Sequence, residues 1–165
     1  MKGVAPLVGY TLILVITISA IFIALQMGRP AIDREKEILL MQEGKSNLLI
    51  IGGAVKIVTE EGEGSTRLLK LTVTDGNYFI DAENDAIIFS MESMAQIIGV
   101  NVSKIEDDIN IFGEQNKIFL NLSYSDKPID IIGQGDFGRG KRSLAIRNNG
   151  YNTTTEKQMV NVLIT

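Results

Sequence analysis

Hydrophobic and polar residues change their pattern twice along the chain of 165 residues. Residues 3–28 contain no charged side chain, and this stretch is bracketed by Lys2 and Arg29. An α-helix rises about 1.5 Å per residue and the bilayer core is about 30 Å thick, so about 20 apolar residues span it. The first pattern therefore predicts a hydrophobic transmembrane helix over residues 4–28.

The second pattern, over residues 29–60, mixes charges with apolar blocks. Acid–base pairs such as Asp33 with Lys36 suit neighbouring positions on a helix, and apolar residues recur up to Val58. We predict a stalk helix over 29–60 whose last turns pack on the head. Gly44 and the pair at 52–53 argue against one straight rod.

The third pattern, over residues 61–165, consists of short alternating runs separated by turn residues. Asp75, Gly76 and Asn77 are typical of a hairpin turn. Residues 92–100 fit either a short helix or a loop. Regular strand spacing predicts a β-sandwich or small barrel, and hence an α+β fold: a long N-terminal hydrophobic helix and stalk followed by a β-sandwich-like head. The predicted strands are 67–73, 78–80, 86–90, 117–124, 129–132, 143–147 and 159–164.

Three interpretations compete for the apolar segment. A secretory signal has an apolar stretch of about 7–15 residues and a small-residue cleavage site, whereas this stretch is longer and Leu25 to Gly28 makes a poor site. A plain membrane anchor fits the length. The third interpretation is a class III signal, in which a short basic and small-residue peptide precedes the helix.

The residues that carry the third interpretation are Lys2-Gly3, the run Ala5 to Gly9 and the β-branched run Thr11 to Ile18. Over its first 28 residues the chain resembles archaeal type IV pilin-like proteins. The resemblance implies that residues 1–3 are the signal and that prepilin peptidase cuts between Gly3 and Val4. Pro6 suits the first helical turn, since its missing donor would have no partner there. Bacterial pilins have glutamate where this chain has Val8, which favours an archaeal assignment.

The resemblance implies two functions from different classes. One is a subunit of a pilus-like extracellular filament for adhesion or surface structure. The subunits would self-associate through residues 4–27, with Ile16 among the residues of the filament core. Gly9 and Ser19 are small enough for close helix contact. The alternative is a membrane-anchored module that binds the cell envelope or an archaellum or pilus assembly. The expected location is the cell membrane with an extracytoplasmic head, or an extracellular filament.

The amino-acid composition excludes several classes of catalytic and binding site. The chain has no histidine and no cysteine, so Ser-His and Cys-His nucleophile pairs and Cys-ligated zinc are excluded. We expect no enzymatic activity and no cofactor. The net charge of −4 argues against a nucleic-acid partner, because phosphate binding needs clustered Lys and Arg.

Three sequons, at Asn101, Asn121 and Asn152, match the N-glycosylation pattern, and all lie in the distal domain. Basic residues on the two sides of the apolar segment leave its orientation ambiguous. The sequons and the pilin-like start together favour an extracytoplasmic head.

Two further motifs are weighed against simpler explanations. Residues 133–138 have the G-x-G-x-x-G spacing and 135–141 approach that of a P-loop, but a strand rather than a helix is predicted to follow, so we expect a glycine-rich turn. Asp81, Glu83 and Asp85 offer oxygen ligands for calcium, but the run lacks the glycine and the distal glutamate of an EF-hand loop, so we expect a turn between strands and no metal site. The acids at 106–108 are predicted to form a solvated loop.

Overall fold

The computed structural model describes residues 4–94 and 103–165, which form one α-helix and ten strands. Helix α1 runs from Val4 to Glu61 without interruption, so the predicted hydrophobic and stalk helices are one element. The chain divides into two compact units, Met1–Lys36 and Glu37–Thr165, and the boundary falls inside this helix.

In the second unit the helix buries one side at alternating spacings of four and three residues. This spacing keeps an apolar stripe on a single helix face. Gly44 does not break the helix: a Cβ there would lie 2.4 Å from the Phe89 ring, so the glycine permits close approach to a strand. The buried or half-buried stripe consists of Glu37, Met41, Gly44, Leu48, Ile51, Val55 and Val58.

The strands form two sheets. The four-stranded sheet has the order β1-β9-β10-β7, with β7 parallel to β10 and the other pairs antiparallel. The six-stranded sheet has the order β4-β5-β6-β3-β2-β8 and is antiparallel. The strands are β1 Thr66–Val73, β2 Asn77–Asp81, β3 Ala86–Glu92, β4 Ser103–Glu106, β5 Ile109–Glu114, β6 Lys117–Ser123, β7 Ile129–Ile132, β8 Asp136–Phe137, β9 Gly140–Asn152 and β10 Lys157–Ile164.

One hydrophobic core unites the second half of the helix with the inner faces of both sheets. Leu48 and Val55 of the helix, Ile146 of the four-stranded sheet and Leu120 of the six-stranded sheet are all fully buried. Tyr78 stacks on Phe137 with ring centroids 4.7 Å apart. The predicted α+β class is confirmed, and each predicted strand lies within or overlaps an observed one.

The predicted hairpin at residues 75–77 is wrong. β1 pairs with β9, and β2 pairs with β3 and β8, so the turn carries the chain from one sheet to the other. Gly76 has a φ of 91°, which explains the turn residues, but local turn chemistry does not choose the strand partner. Long-range burial of the strand faces decides it.

Three strands, β4, β5 and the two-residue β8, were not predicted. Ile109 and Ile111 alternate with Asn110 and Phe112, and the two isoleucines are buried. Only Asp107 and Asp108 of the predicted solvated loop form a turn, and both have positive φ, 52° and 64°. Such a pair matches the type I′ turn that joins short hairpins.

The glycine-rich stretch contains β8 and leads into strand β9 rather than a helix, so the helix that a dinucleotide fingerprint opens is not formed. Gly133 has a φ of 141°, and a Cβ there would lie 2.4 Å from the Val162 carbonyl oxygen. Close approach to β10 therefore explains this glycine.

Candidate functional site

The most unusual feature of the described residues is the apolar segment, which we define as residues 8–27 of helix α1. Every side chain in it is exposed, around the whole circumference of the helix. Water is a poor solvent for such a surface, and apolar patches of this size mark contact with a membrane or another protein. The large apolar residues, each 54–76% exposed, are Val8, Tyr10, Leu12, Ile13, Leu14, Val15, Ile16, Ile18, Ile21, Phe22, Ile23, Leu25 and Met27.

Two hydroxyl groups of the apolar segment bond within the helix, which suits an apolar environment. The Ser19 hydroxyl donates to the Val15 carbonyl oxygen at 2.8 Å, and the Thr17 hydroxyl donates to the Ile13 carbonyl oxygen at 2.8 Å. Such bonds to the preceding turn satisfy hydroxyl groups without a partner outside the helix. The helix is long and apolar enough to cross a membrane, although a signal sequence would meet the same criteria.

The structure describes only some of the predicted processing and packing residues. Lys2 and Gly3 lie outside the described residues, and Val4 is the first residue of the helix. Pro6 lies in the first helical turn, as predicted. A Cβ at Gly9 would meet nothing within 4 Å, and Ile16 is 58% exposed. The predicted cut after Gly3 stays a prediction.

The three sequons have different surroundings. Asn101 lies outside the described residues, whereas Asn121 is half-buried in the middle of β6. Asn152 ends β9, where its Oδ1 accepts a bond from the Thr154 amide at 2.9 Å. Glycosylation at these positions stays a prediction.

Glu37 is the first residue of the second unit. It was not singled out from the sequence, because several acids follow the apolar segment. The residue is 8% exposed, and its carboxylate accepts bonds from the Ser93 hydroxyl at 2.6 Å and the Met94 amide at 2.8 Å. Farther along the helix, Asn47 donates to the Thr72 carbonyl oxygen at 3.0 Å. The signal available in the sequence is the spacing of Glu37 from Met41 and Gly44 on the stripe.

The acids considered as calcium ligands have other partners. Asp85 binds the Lys157 ammonium at 2.7 Å and accepts the Ile131 amide at 2.9 Å. The hydrogen bond with Asp85 is the main cause that raises the pKa of Lys157, with a smaller contribution from Asp130. Asp81 accepts two bonds from Asn84 within the turn. Within residues 4–94 and 103–165, no cluster of three or more acidic side chains could hold a metal ion.

An open cavity of about 520 Å³ lies beside Gly52 and Gly53 in the second unit. Leu122 and Tyr124 contribute to its mainly apolar wall. The Tyr124 hydroxyl is buried and has no hydrogen-bond partner among the described residues, and burial raises the pKa of this phenol above its ordinary value. The cavity could receive an apolar group.

No protein-family model, no curated protein and no solved structure matches the chain. Functional assignment therefore rests on the residues and geometry described above.

Proposed function

We propose that this chain is a subunit of an archaeal type IV pilus-like filament, assembled through its N-terminal helix. The observation that carries the proposal is the exposure of the apolar segment around the entire helix, joined in one chain to a β-rich unit with its own core. A filament core made of identical helices would bury this segment in every copy.

The free-energy cost of exposing the apolar segment to water is too large for it to remain in water. Burying one large apolar side chain contributes about 1.5–3 kcal/mol, and a typical domain is stable by only about 5–15 kcal/mol. Thirteen large apolar residues of the segment are more than half exposed. Leaving them in water would cost on the order of 20–40 kcal/mol, more than the stability of a typical domain, so lipid or other protein chains must cover them.

The second candidate is a membrane-anchored module with an extracytoplasmic head. The length and composition of the same segment favour it, because the helix could remain in lipid after insertion. In this case the head would bind a cell-envelope layer or an archaellum or pilus assembly. Self-association through the helix would then be unnecessary.

The first test examines processing and assembly together. Sheared surface material from cells that make this chain should contain filaments visible by electron microscopy. Mass spectrometry of these filaments should identify the chain with Val4 as its first residue. An intact Met1 in cells with active prepilin peptidase would remove the pilin-like interpretation. Correct processing without filaments containing the chain would favour the anchored module.

The second test asks whether the apolar segment packs against protein or lipid. The double variant Gly9→Leu, Ser19→Leu adds apolar volume, which a lipid-facing helix tolerates. In a close-packed filament core, overpacking typically costs about 1–3 kcal/mol per site. We expect normal membrane insertion but at least about tenfold less sheared filament, since 1.4 kcal/mol corresponds to a factor of ten. A matched variant, Val15→Leu, changes volume without filling a small-residue position, and normal filament yield from both variants would contradict close packing there.

A further inference from the structure

The outer face of β1 and β9 in the four-stranded sheet is basic. Leu71 of β1 and Ile146 of β9 point into the core, so the alternating neighbours Lys70 and Arg147 point outward. Lys141 lies on the same outer face, opposite Thr72. We call the outward surface of β1 and β9 the basic face, and it contains no acidic residue. Its members are Thr66, Leu68, Lys70, Thr72, Lys141, Ser143, Ala145, Arg147, Asn149 and Tyr151.

The cations of the basic face have no acidic partners. Lys70, Lys141 and Arg147 are exposed, and none forms an ion pair among the described residues. Beside them Leu68 is 74% exposed and Leu163 of β10 is 46% exposed. The whole chain is acidic, with a net charge of −4, so this cluster is a local departure from the composition.

The outer face of the six-stranded sheet has the opposite charge. Register places Asp136 beside Phe79, which is 39% exposed, and Ile105 on the edge strand β4 is 77% exposed. Lys117 is the one cation at the outward positions described. We call this surface the acidic face, and its four acids are Asp81, Glu92, Glu114 and Asp136.

We infer that the basic face of one copy binds the acidic face of a second copy. Each face combines an excess of one charge sign with exposed apolar side chains, although Lys117 stands opposite both Glu92 and Glu114, and the two net charges are complementary. Contact between two basic faces would place like charges together and is disfavoured. Because the two faces differ, the contact is heterologous and can repeat in one direction without closing, as an extended assembly requires.

This contact lies in the β-rich unit and goes beyond the proposed function. It requires neither a filament core nor cleavage after Gly3. The same two faces would meet whether the apolar segments lie against each other or in lipid. A negative result for this contact can therefore be told apart from a negative result for the filament proposal.

The absence of cysteine allows a clean cross-linking test with the full chain in a nonionic detergent. Leu68→Cys marks the basic face, and Phe79→Cys or Ile105→Cys marks the acidic face. Chains with tags of different length are mixed and treated with a short bismaleimide. We expect basic-to-acidic products to exceed products between identical variants by about fivefold or more at about 50 mM salt, and to fall several-fold at about 0.5 M. Products between identical variants in equal or greater amount, or no salt effect, would overturn the inference.

Charge exchange provides the decisive control. Lys70→Glu with Arg147→Glu, and separately Glu114→Lys with Asp136→Lys, should each reduce basic-to-acidic cross-linking at least about fivefold. Mixing these two variants should restore the product, because the reversed face of one then meets the reversed face of the other, and combining all four substitutions in one chain should do the same. Lys56→Glu with Lys104→Glu changes the net charge equally away from the basic face and should have little effect. Circular dichroism of each variant verifies folding. Loss from the basic-face variant alone, with no effect of the acidic-face variant, would indicate a different acidic partner and overturn the inference.

Discussion

Residues 8–27 and 37–58 belong to the same α-helix, but the burial of their apolar side chains differs. In the first region every side chain is exposed and none is charged. In the second, Leu48, Ile51, Val55 and Val58 are fully buried, while Lys56 is exposed and points away from the core.

This difference shows that the position of polar residues, more than the total apolar content, indicates which solvent a helix meets. A helix that is apolar all round suits lipid or a helix bundle, whereas an apolar stripe suits packing on a sheet. The second region even buries a carboxylate, Glu37, because Ser93 and Met94 supply hydrogen bonds to it.

The largest expected difference between the two regions is in the head's stability. Leu48→Ala should lower the free energy of unfolding by about 2–5 kcal/mol, because it leaves a cavity in a close-packed core. The matched change Leu14→Ala removes the same atoms from an exposed position and should alter it by less than about 0.5 kcal/mol. Urea unfolding of the full chain in detergent, followed by near-ultraviolet circular dichroism of the tyrosines, measures both. Equal effects would contradict the division of the helix.

Glycines should give a smaller contrast of opposite sign. A Cβ at Gly44 would lie 2.4 Å from the buried Phe89 ring, which itself packs on Tyr78 at 4.7 Å. Gly44→Ala should therefore destabilise the head by about 1–3 kcal/mol. Gly9 has open surroundings, and Gly9→Ala should favour the helix by about 0.5–1 kcal/mol. The unfolding assay for Gly44 and helix content by far-ultraviolet circular dichroism for Gly9 test the two signs; a neutral Gly44→Ala would show that Phe89 repacks without cost.

Alkaline pH should lower the stability of the head, because the ion pair between Lys157 and Asp85 loses its charge there. Residues 8–27 contain no charged side chain and therefore no ion pair that could titrate. The bond with Asp85 raises the pKa of Lys157 above 10.5, so the folded state holds this proton more tightly than the unfolded state does. Its contribution to stability is complete below pH 10.5 and is lost as pH rises through the higher pKa of the folded state. The stability difference between the wild type and Lys157→Met should be constant from about pH 7 to 9 and shrink above about pH 10.5. A difference that grows with pH would contradict the ion pair.

Much of the architecture follows from the sequence alone, because it depends on local pattern. The charge-free run determines a helix of membrane length, and the alternation in residues 67–73, 117–124 and 129–132 determines strands in the observed places. The total exposure of the apolar segment is also foreseeable, since it has no polar face to separate core from solvent.

Only the tertiary structure decided which strands pair and which polar groups are buried. Turn residues at Asp75 and Gly76 set a local backbone conformation, but β1 found its partner in β9, far along the chain. The sequence alone indicates a helix interruption at Gly44, whereas the structure shows close approach to Phe89. The sequence alone indicates a turn acid at Asp85, whereas the structure shows an ion pair with Lys157 of β10. Local sequence records the conformational preference of each residue, whereas pairing and burial depend on contacts between distant residues that compete for one core.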